Sequence, residues 1–282
     1  MIEWLNTGLY FIVSFFASIV GAVGGVGSGL IVKPILELAI PLPAAIASLY
    51  SALAVFFMAF TAFIRQRKAI LGKDGIKMDV AIPLSVGSVV GGIIGNFIFK
   101  WINDIMGGVD VAQGVAMIAV MALLLLHQIF ESKIKPLNLK GAPIFLLLGT
   151  VLGVFAVFLG IGGGPLNLFA LTFFAALPLK IAALYSIFII MFAQGTSLLR
   201  WAIPFEPWGG GGWPLGHEKV AIYLIVTVVI ASVAGALIGS GWYNKIKNNP
   251  KGNSILKKVY CGVLIFVILI SAWNLYSFLC LQ

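Results

Sequence analysis

The stretch Gly24-Gly25-Val26-Gly27-Ser28-Gly29 breaks an apolar run that extends from Leu5 to Ile40. A second stretch, Gly160-Ile161-Gly162-Gly163-Gly164-Pro165, breaks a run from Gly141 to Ala176. An ungapped offset of 135 positions lays Gly25, Gly27 and Gly29 on Gly160, Gly162 and Gly164. The same offset lays Pro43 on Pro178, Leu49-Tyr50-Ser51 on Leu184-Tyr185-Ser186, Thr61 on Thr196 and Arg65 on Arg200. Further along, an offset of 144 lays Gly91 and Gly95 on Gly235 and Gly239. The difference falls in the Gly/Pro/Trp-rich segment Pro204 to Gly216. A recurrence at fixed period is the mark of a duplicated structural unit. The chain therefore reads as two related halves, 1–135 and 136–282.

Outside the breaks the sequence is almost continuously apolar. Hydrophobic residues make up 61% and charged residues 10%, against roughly half and a quarter in soluble domains. The mean hydropathy is +1.10. Apolar runs at Ala44–Ile64, Val80–Trp101, Val111–Phe130, Leu179–Leu199, Val220–Tyr243 and Leu256–Leu281 reach the roughly 20 residues that a helix needs to cross a bilayer. They are continuous rather than alternating, which excludes a β-barrel. The expected fold is an all-α polytopic membrane protein of two inverted-topology repeats, each a Gly-broken hairpin plus three transmembrane helices. The net charge of +9 lies in loops beside these runs, so it reads as an orientation signal and not as a nucleic-acid surface. Cys261 and Cys280 are about 28 Å apart along one helix and cannot pair. With no basic leader and no cleavage site, the first run is expected to remain as a membrane segment.

Charge sets the expected orientation. Basic loops at Arg65–Lys77, Lys133–Lys140 and Lys245–Lys258 are placed in the cytoplasm, and the acidic loop at Asn103, Asp104 and Asp110 outside. The protein then sits in the cell (cytoplasmic) membrane with its Lys/Arg-rich loops inward. Ala44–Ile64 runs outward to inward and Leu179–Leu199 the opposite way, with Pro43 outside and Pro178 inside. Gly141–Ala176 must enter and return on one side, folded at its glycines. Each half has an odd net number of crossings, which inserts the two in opposite senses.

The chemistry is expected at the breaks. Non-helical backbone at membrane depth is tolerated where it is buried or lines a cavity, and the helix that restarts after each break offers free N–H groups to an anion. Gly27, Ser28, Gly29, Gly162, Gly163, Gly164 and Asn167 form this candidate cradle; close helix packing is the plain alternative. Lys33 either draws the ligand or pairs with Glu37 four residues on. Tyr50, Ser51, Tyr185 and Ser186 either donate to an oxyanion or bond between helices, and Gln194 carries the same two readings. Arg65 and Arg200 are candidates for electrostatic attraction or gating at the two mouths, with interfacial anchoring as the alternative. His127 and His217 lack metal-ligand company and read as solvated interface residues. No metal or cofactor is expected.

Gly24 to Gly29 with Pro34, Gly160 to Pro165, the proline turns and the repeated Leu-Tyr-Ser make the chain resemble the TauE/SafE family over its full length. The resemblance implies export of sulfite, sulfonates or related sulfur anions, coupled to an ion gradient of protons or sodium. The expected function is therefore a secondary transporter of a small anion working by alternating access. A passive anion channel is one alternative. An intramembrane serine hydrolase built on Gly25-Val26-Gly27-Ser28-Gly29 is another, and it would need a base such as His127.

Overall fold

The computed structural model describes residues 2–40, 44–72, 76–106, 110–131, 133–202 and 221–281. Pro43, Lys73, the segment Pro204 to Gly216 and His217 lie outside them. Ten helices follow in order: α1 (Ile2–Gly24), α2 (Gly29–Ala39), α3 (Ala44–Leu71), α4 (Met78–Met106), α5 (Asp110–Phe130), α6 (Ala142–Leu159), α7 (Gly164–Phe173), α8 (Leu179–Ala202), α9 (Ile222–Lys247) and α10 (Gly252–Leu281). No strand occurs among the described residues.

Eight of these helices are long and apolar enough to cross a membrane; α2 and α7 are the short exceptions. The outer surface agrees with that reading. Trp101, Leu147, Ile222 and Leu269 are each about two-thirds exposed. They belong to a far larger set of exposed Leu, Ile, Val and Phe, which water would not tolerate as contiguous patches and lipid accepts. The protein is an all-α, multi-pass membrane protein.

Helix starts and stops follow local chemistry. Pro143 and Pro165 occupy the first turns of α6 and α7, where a missing N–H costs nothing. α7 closes with the Leu177 N–H on the Leu171 carbonyl at 3.0 Å, and Ala176 takes φ +52°. A left-handed residue at such a helix end is normally glycine, because one with a Cβ is disfavoured by roughly 1–2 kcal/mol. Ala176→Gly is therefore expected to stabilise the protein by about 1 kcal/mol, read as a rise in the thermal unfolding midpoint in detergent. The linker before α6 is tied to the same end of α7: Leu137 N–H donates to Phe173 O at 2.9 Å and Leu139 N–H to Phe174 O at 2.7 Å.

Helices from the two ends of the chain interleave. α1 packs along α9, and α6 along α4. Small residues make this possible, because a glycine lets a neighbouring backbone approach where any Cβ would intrude. Gly91 faces the Thr150 carbonyl and Gly235 the Phe15 carbonyl; Gly95 faces Val154 and Gly239 faces Ile19. A Cβ at Gly95 would come 2.8 Å from the Val154 oxygen. Each pair maps onto the other through the offsets 144 and 135, so corresponding seams use corresponding residues. Gly91 and Gly95 are packing residues.

Candidate functional site

The two glycine breaks meet. Gly27 and Gly162 both take φ +80°, and Gly25 and Gly160 take +68° and +67°. These left-handed values turn the chain between helices at a cost that only glycine avoids. Gly164 lies so close to the Val26 carbonyl that an added Cβ would sit on it. Gly29 faces the Ile161 carbonyl, with an added Cβ 3.2 Å from its oxygen. Val26 and Ile161 are themselves related by the offset of 135, so the contact is reciprocal. The first turns of α2 and α7 thus each abut the opposite break.

Repeated hydroxyls lock this junction. Ser51 Oγ donates to the Gly160 carbonyl at 3.2 Å, and Ser186 Oγ donates to the Gly25 carbonyl at 2.6 Å. Tyr185 Oη accepts the Lys77 N–H at 2.6 Å, and Tyr50 hydrogen-bonds the backbone at Ala221. Lys77 and Ala221 correspond through the offset of 144. The Ser51 and Ser186 protons are engaged in bonds between helices, whereas the tyrosine oxygens accept backbone N–H groups. The serine protons are engaged by carbonyls freed where the helices break, which would otherwise be buried without partners.

Lys33 is 2% exposed. Its Nζ donates to Gln113 Oε1 at 2.8 Å and to the Leu159 carbonyl at 3.1 Å, and Glu37 Oε1 lies 3.7 Å away. Leu159 is the last residue of α6, so the ammonium sits on a helix C-terminus, where the dipole favours a cation. It also stands beside the second break: a Cβ on Gly160 would come within 2.7 Å of Lys33 Nζ and 2.8 Å of Ser48 Oγ. Pairing and proximity to the break therefore coexist. Gln113, which sequence reasoning passed over, additionally bonds the Phe158 carbonyl and joins α5 to this corner. A polar residue in the apolar run of α5 is the signal that would have found it.

Three buried polar side chains at the junction have no such ties. Ser28 Oγ is fully buried with no hydrogen-bond partner. Asn167 and Gln194 are 3% and 5% exposed, and neither side-chain amide has a hydrogen bond among the described residues. They flank consecutive glycines of the second break. Gln194 Nε2 lies 3.4 Å from a Cβ position at Gly162, and Asn167 Nδ2 lies 3.9 Å from one at Gly163. Burying a hydroxyl without a partner costs roughly 1–3 kcal/mol in proteins, so Ser28 needs an explanation, and the two nearly buried amides beside it invite the same one.

The remaining candidates lie elsewhere. Arg65 is exposed on α3, a turn and a half before its end. Arg200 belongs to α8, and its side chain is outside those described. His127 is half-buried with its ring edge-on to Phe169 and Phe173, at 4.7 and 5.3 Å between centroids. It is packed among aromatics and not simply solvated, because α7 returns alongside α5. Ser28 has no hydrogen-bonded base, so the serine is not set up as a nucleophile. Among the described residues no cluster of three or more His, Cys, Asp or Glu side chains could hold a metal.

Eight apolar spanning helices around two abutting breaks define a polytopic α-helical membrane protein with a polar, buried centre. The sequence matches the family model described as sulfite exporter TauE/SafE over residues 10–271. The chain belongs to that family, one of membrane transporters and not of enzymes. Comparison with the curated proteins and with solved structures gave no match.

Proposed function

We propose that the protein is a secondary transporter of a small sulfur oxyanion, sulfite or a sulfonate, and that Ser28, Asn167 and Gln194 bind it at the junction of the two breaks. The observation that carries this reading is the set of three buried neutral donors without protein partners. An anion accepts hydrogen bonds and donates few, so unengaged hydroxyl and amide donors complement it. The first turns of α2 and α7 and the nearby Lys33 ammonium add positive potential without occupying the site.

In this reading Gly27, Gly29, Gly162, Gly163 and Gly164 shape the cradle by admitting close backbone approach. Ser51, Ser186, Tyr50 and Tyr185 hold the cradle and do not touch the cargo. The two halves, 1–135 and 136–282, are inserted in opposite senses, each with a re-entrant hairpin. The ties of Leu137 and Leu139 to the end of α7 support a hairpin for α6 and α7, since they bring its entry and exit together. The reciprocal contacts between Gly29 and Ile161 and between Gly164 and Val26 support a twofold relation. Alternating access follows as rocking of one half against the other about that junction. Lys/Arg-rich loops face the cytoplasm, and Arg65 and Arg200 draw anions toward opposite mouths. The coupling ion is a proton or sodium.

Reconstitution into proteoliposomes tests this. Labelled sulfite and a labelled sulfonate are expected to accumulate against their own gradient when a proton or sodium gradient is imposed. Flux that follows only the anion's gradient would make the protein a channel, and no flux of either anion would remove the sulfur-oxyanion reading.

A further inference from the structure

Away from the glycine junction, α5 stands off from α6 and α7 and leaves an apolar hollow of about 600 Å³. Its walls include Leu123 and His127 on α5, Leu148 and Phe155 on α6, and Phe169 and Phe173 on α7. The lining on α5 runs from Val120 to Phe130, a rise of about 15 Å. That is half of a hydrocarbon core of roughly 30 Å, the depth of one leaflet.

One end of the hollow is polar. A second space of about 390 Å³ shares His127, Ile134 and Phe173 with the first and adds Glu131, Thr172 and Lys257. Lys257 pairs with Glu131 at 2.9 Å, and Gln128 Nε2 donates to the same Glu131 oxygen at 2.6 Å. Lys133, 5.6 Å from the Phe130 ring, and Lys135 are both exposed. Neither has an ion pair among the described residues. Lys257 on this mouth is paired with Glu131, and Lys133 and Lys135 flank its lining residues Ile134 and Pro136 in the chain, so the surroundings of the mouth are net positive.

We propose that the hollow is a binding site for one anionic phospholipid, its acyl chain between α5, α6 and α7 and its headgroup phosphate on Lys133, Lys135 and Lys257. Three features select a lipid over other occupants. The cleft is walled by α5 and α6, which are long and apolar enough to cross the bilayer, together with the short α7, so lipid is the medium at its opening. Its apolar length equals a single leaflet. Its charge sits at the end where a headgroup would lie, and juxtamembrane lysines attract anionic lipid. The chain would also bear on the candidate cradle, since Leu166 lines the hollow and the next residue along α7 is Asn167. A bound tail therefore supports the helix that carries one of the unpartnered amides.

The purified full-length chain, examined by native mass spectrometry and thermal unfolding with added phosphatidylglycerol or phosphatidylcholine of equal tail length, tests this. One phosphatidylglycerol is expected to be retained per chain, with an unfolding midpoint about 2–4 °C above that in phosphatidylcholine. Val151→Trp fills the hollow from an exposed position and should abolish retention and shift together while leaving the lipid-free midpoint unchanged. The double variant K133Q/K135Q should retain lipid but lose the preference for the anionic headgroup. Equal retention of both lipids by the unmodified chain, or retention unaffected by Val151→Trp, would overturn the proposal. So would a dimer that Val151→Trp dissociates, because the occupant would then be a second copy of the chain.

Discussion

Gly164→Ala is expected to be the most destabilising alanine substitution in the two motifs, leaving little folded protein in the membrane. The methyl group would land on the Val26 carbonyl carbon and oxygen, and would come 2.8 Å from Val26 Cα. All three are backbone atoms, held by the left-handed turn at Gly25 and by the Ser186 bond to the Gly25 carbonyl. No rotamer change relieves the clash. Overpacking that side chains can absorb costs roughly 1–3 kcal/mol; a backbone-on-backbone collision sets about 3 kcal/mol as a floor. Total stabilities are only about 5–15 kcal/mol. The same substitution elsewhere in the motifs should grade downward. At Gly29 the clash is with Ser51 Oγ and a Val55 methyl, with the Ile161 oxygen at 3.2 Å; two of those groups can turn aside. Gly24 has only side-chain atoms beyond 3.5 Å of its Cβ position, at 3.6 and 3.9 Å, and Gly24→Ala should be tolerated. Monodispersity in detergent and the thermal midpoint of the three variants check the order. A well-folded Gly164→Ala protein would mean that the breaks do not abut as described.

That order could not be read from the sequence, although the motifs could. Glycines recurring at a fixed offset announce that the backbone needs them. They do not say what approaches, because Val26 and Gly164 are distant in the chain and only folding brings them together. The repeated serines illustrate the same limit. Ser51 and Ser186 recur because each ties down a carbonyl of the opposite break, and in one dimension that repetition is indistinguishable from a repeated ligand contact. Spanning segments were legible because their signal is local: some twenty apolar residues suffice, whatever they pack against. Lys33 was visible as a charge in an apolar run. Its partner Gln113, eighty residues away, was not, since nothing in the spacing links α2 to α5. His127 lacked any sequence sign of the aromatic rings that enclose it.

Repetition marks the scaffold, and departure from it marks the candidate site. Ser28 corresponds to Gly163, Asn167 to Val32 and Gln194 to Ala59. At each pair one half carries an unengaged polar group and the other a small or apolar residue in the related place. At Asn167/Val32 and Gln194/Ala59 the fold therefore already accepts the apolar version; Ser28 (φ −73°) and Gly163 (φ +76°) differ in backbone, but glycine can adopt the conformation of Ser28. S28G, N167V and Q194A, which copy the opposite half, are expected to preserve the fold. They should leave the thermal midpoint unchanged or raise it slightly, because each removes a buried group without a partner. Transport should respond in the other direction. A hydrogen bond to a charged ligand is worth roughly 1.5–3 kcal/mol, so each single variant should lower transport efficiency by about tenfold to a hundredfold. The triple variant should be inactive while still eluting and melting as a folded protein. Ser51→Ala supplies the contrast: it strips the Gly160 carbonyl of its donor and should lower the midpoint and transport together. Rates in proteoliposomes, read beside melting curves of the same preparations, separate the two behaviours. If the symmetrised proteins transport as well as the parent, the three side chains do not hold the cargo; if they unfold, these groups are structural and their missing partners lie in water or ions.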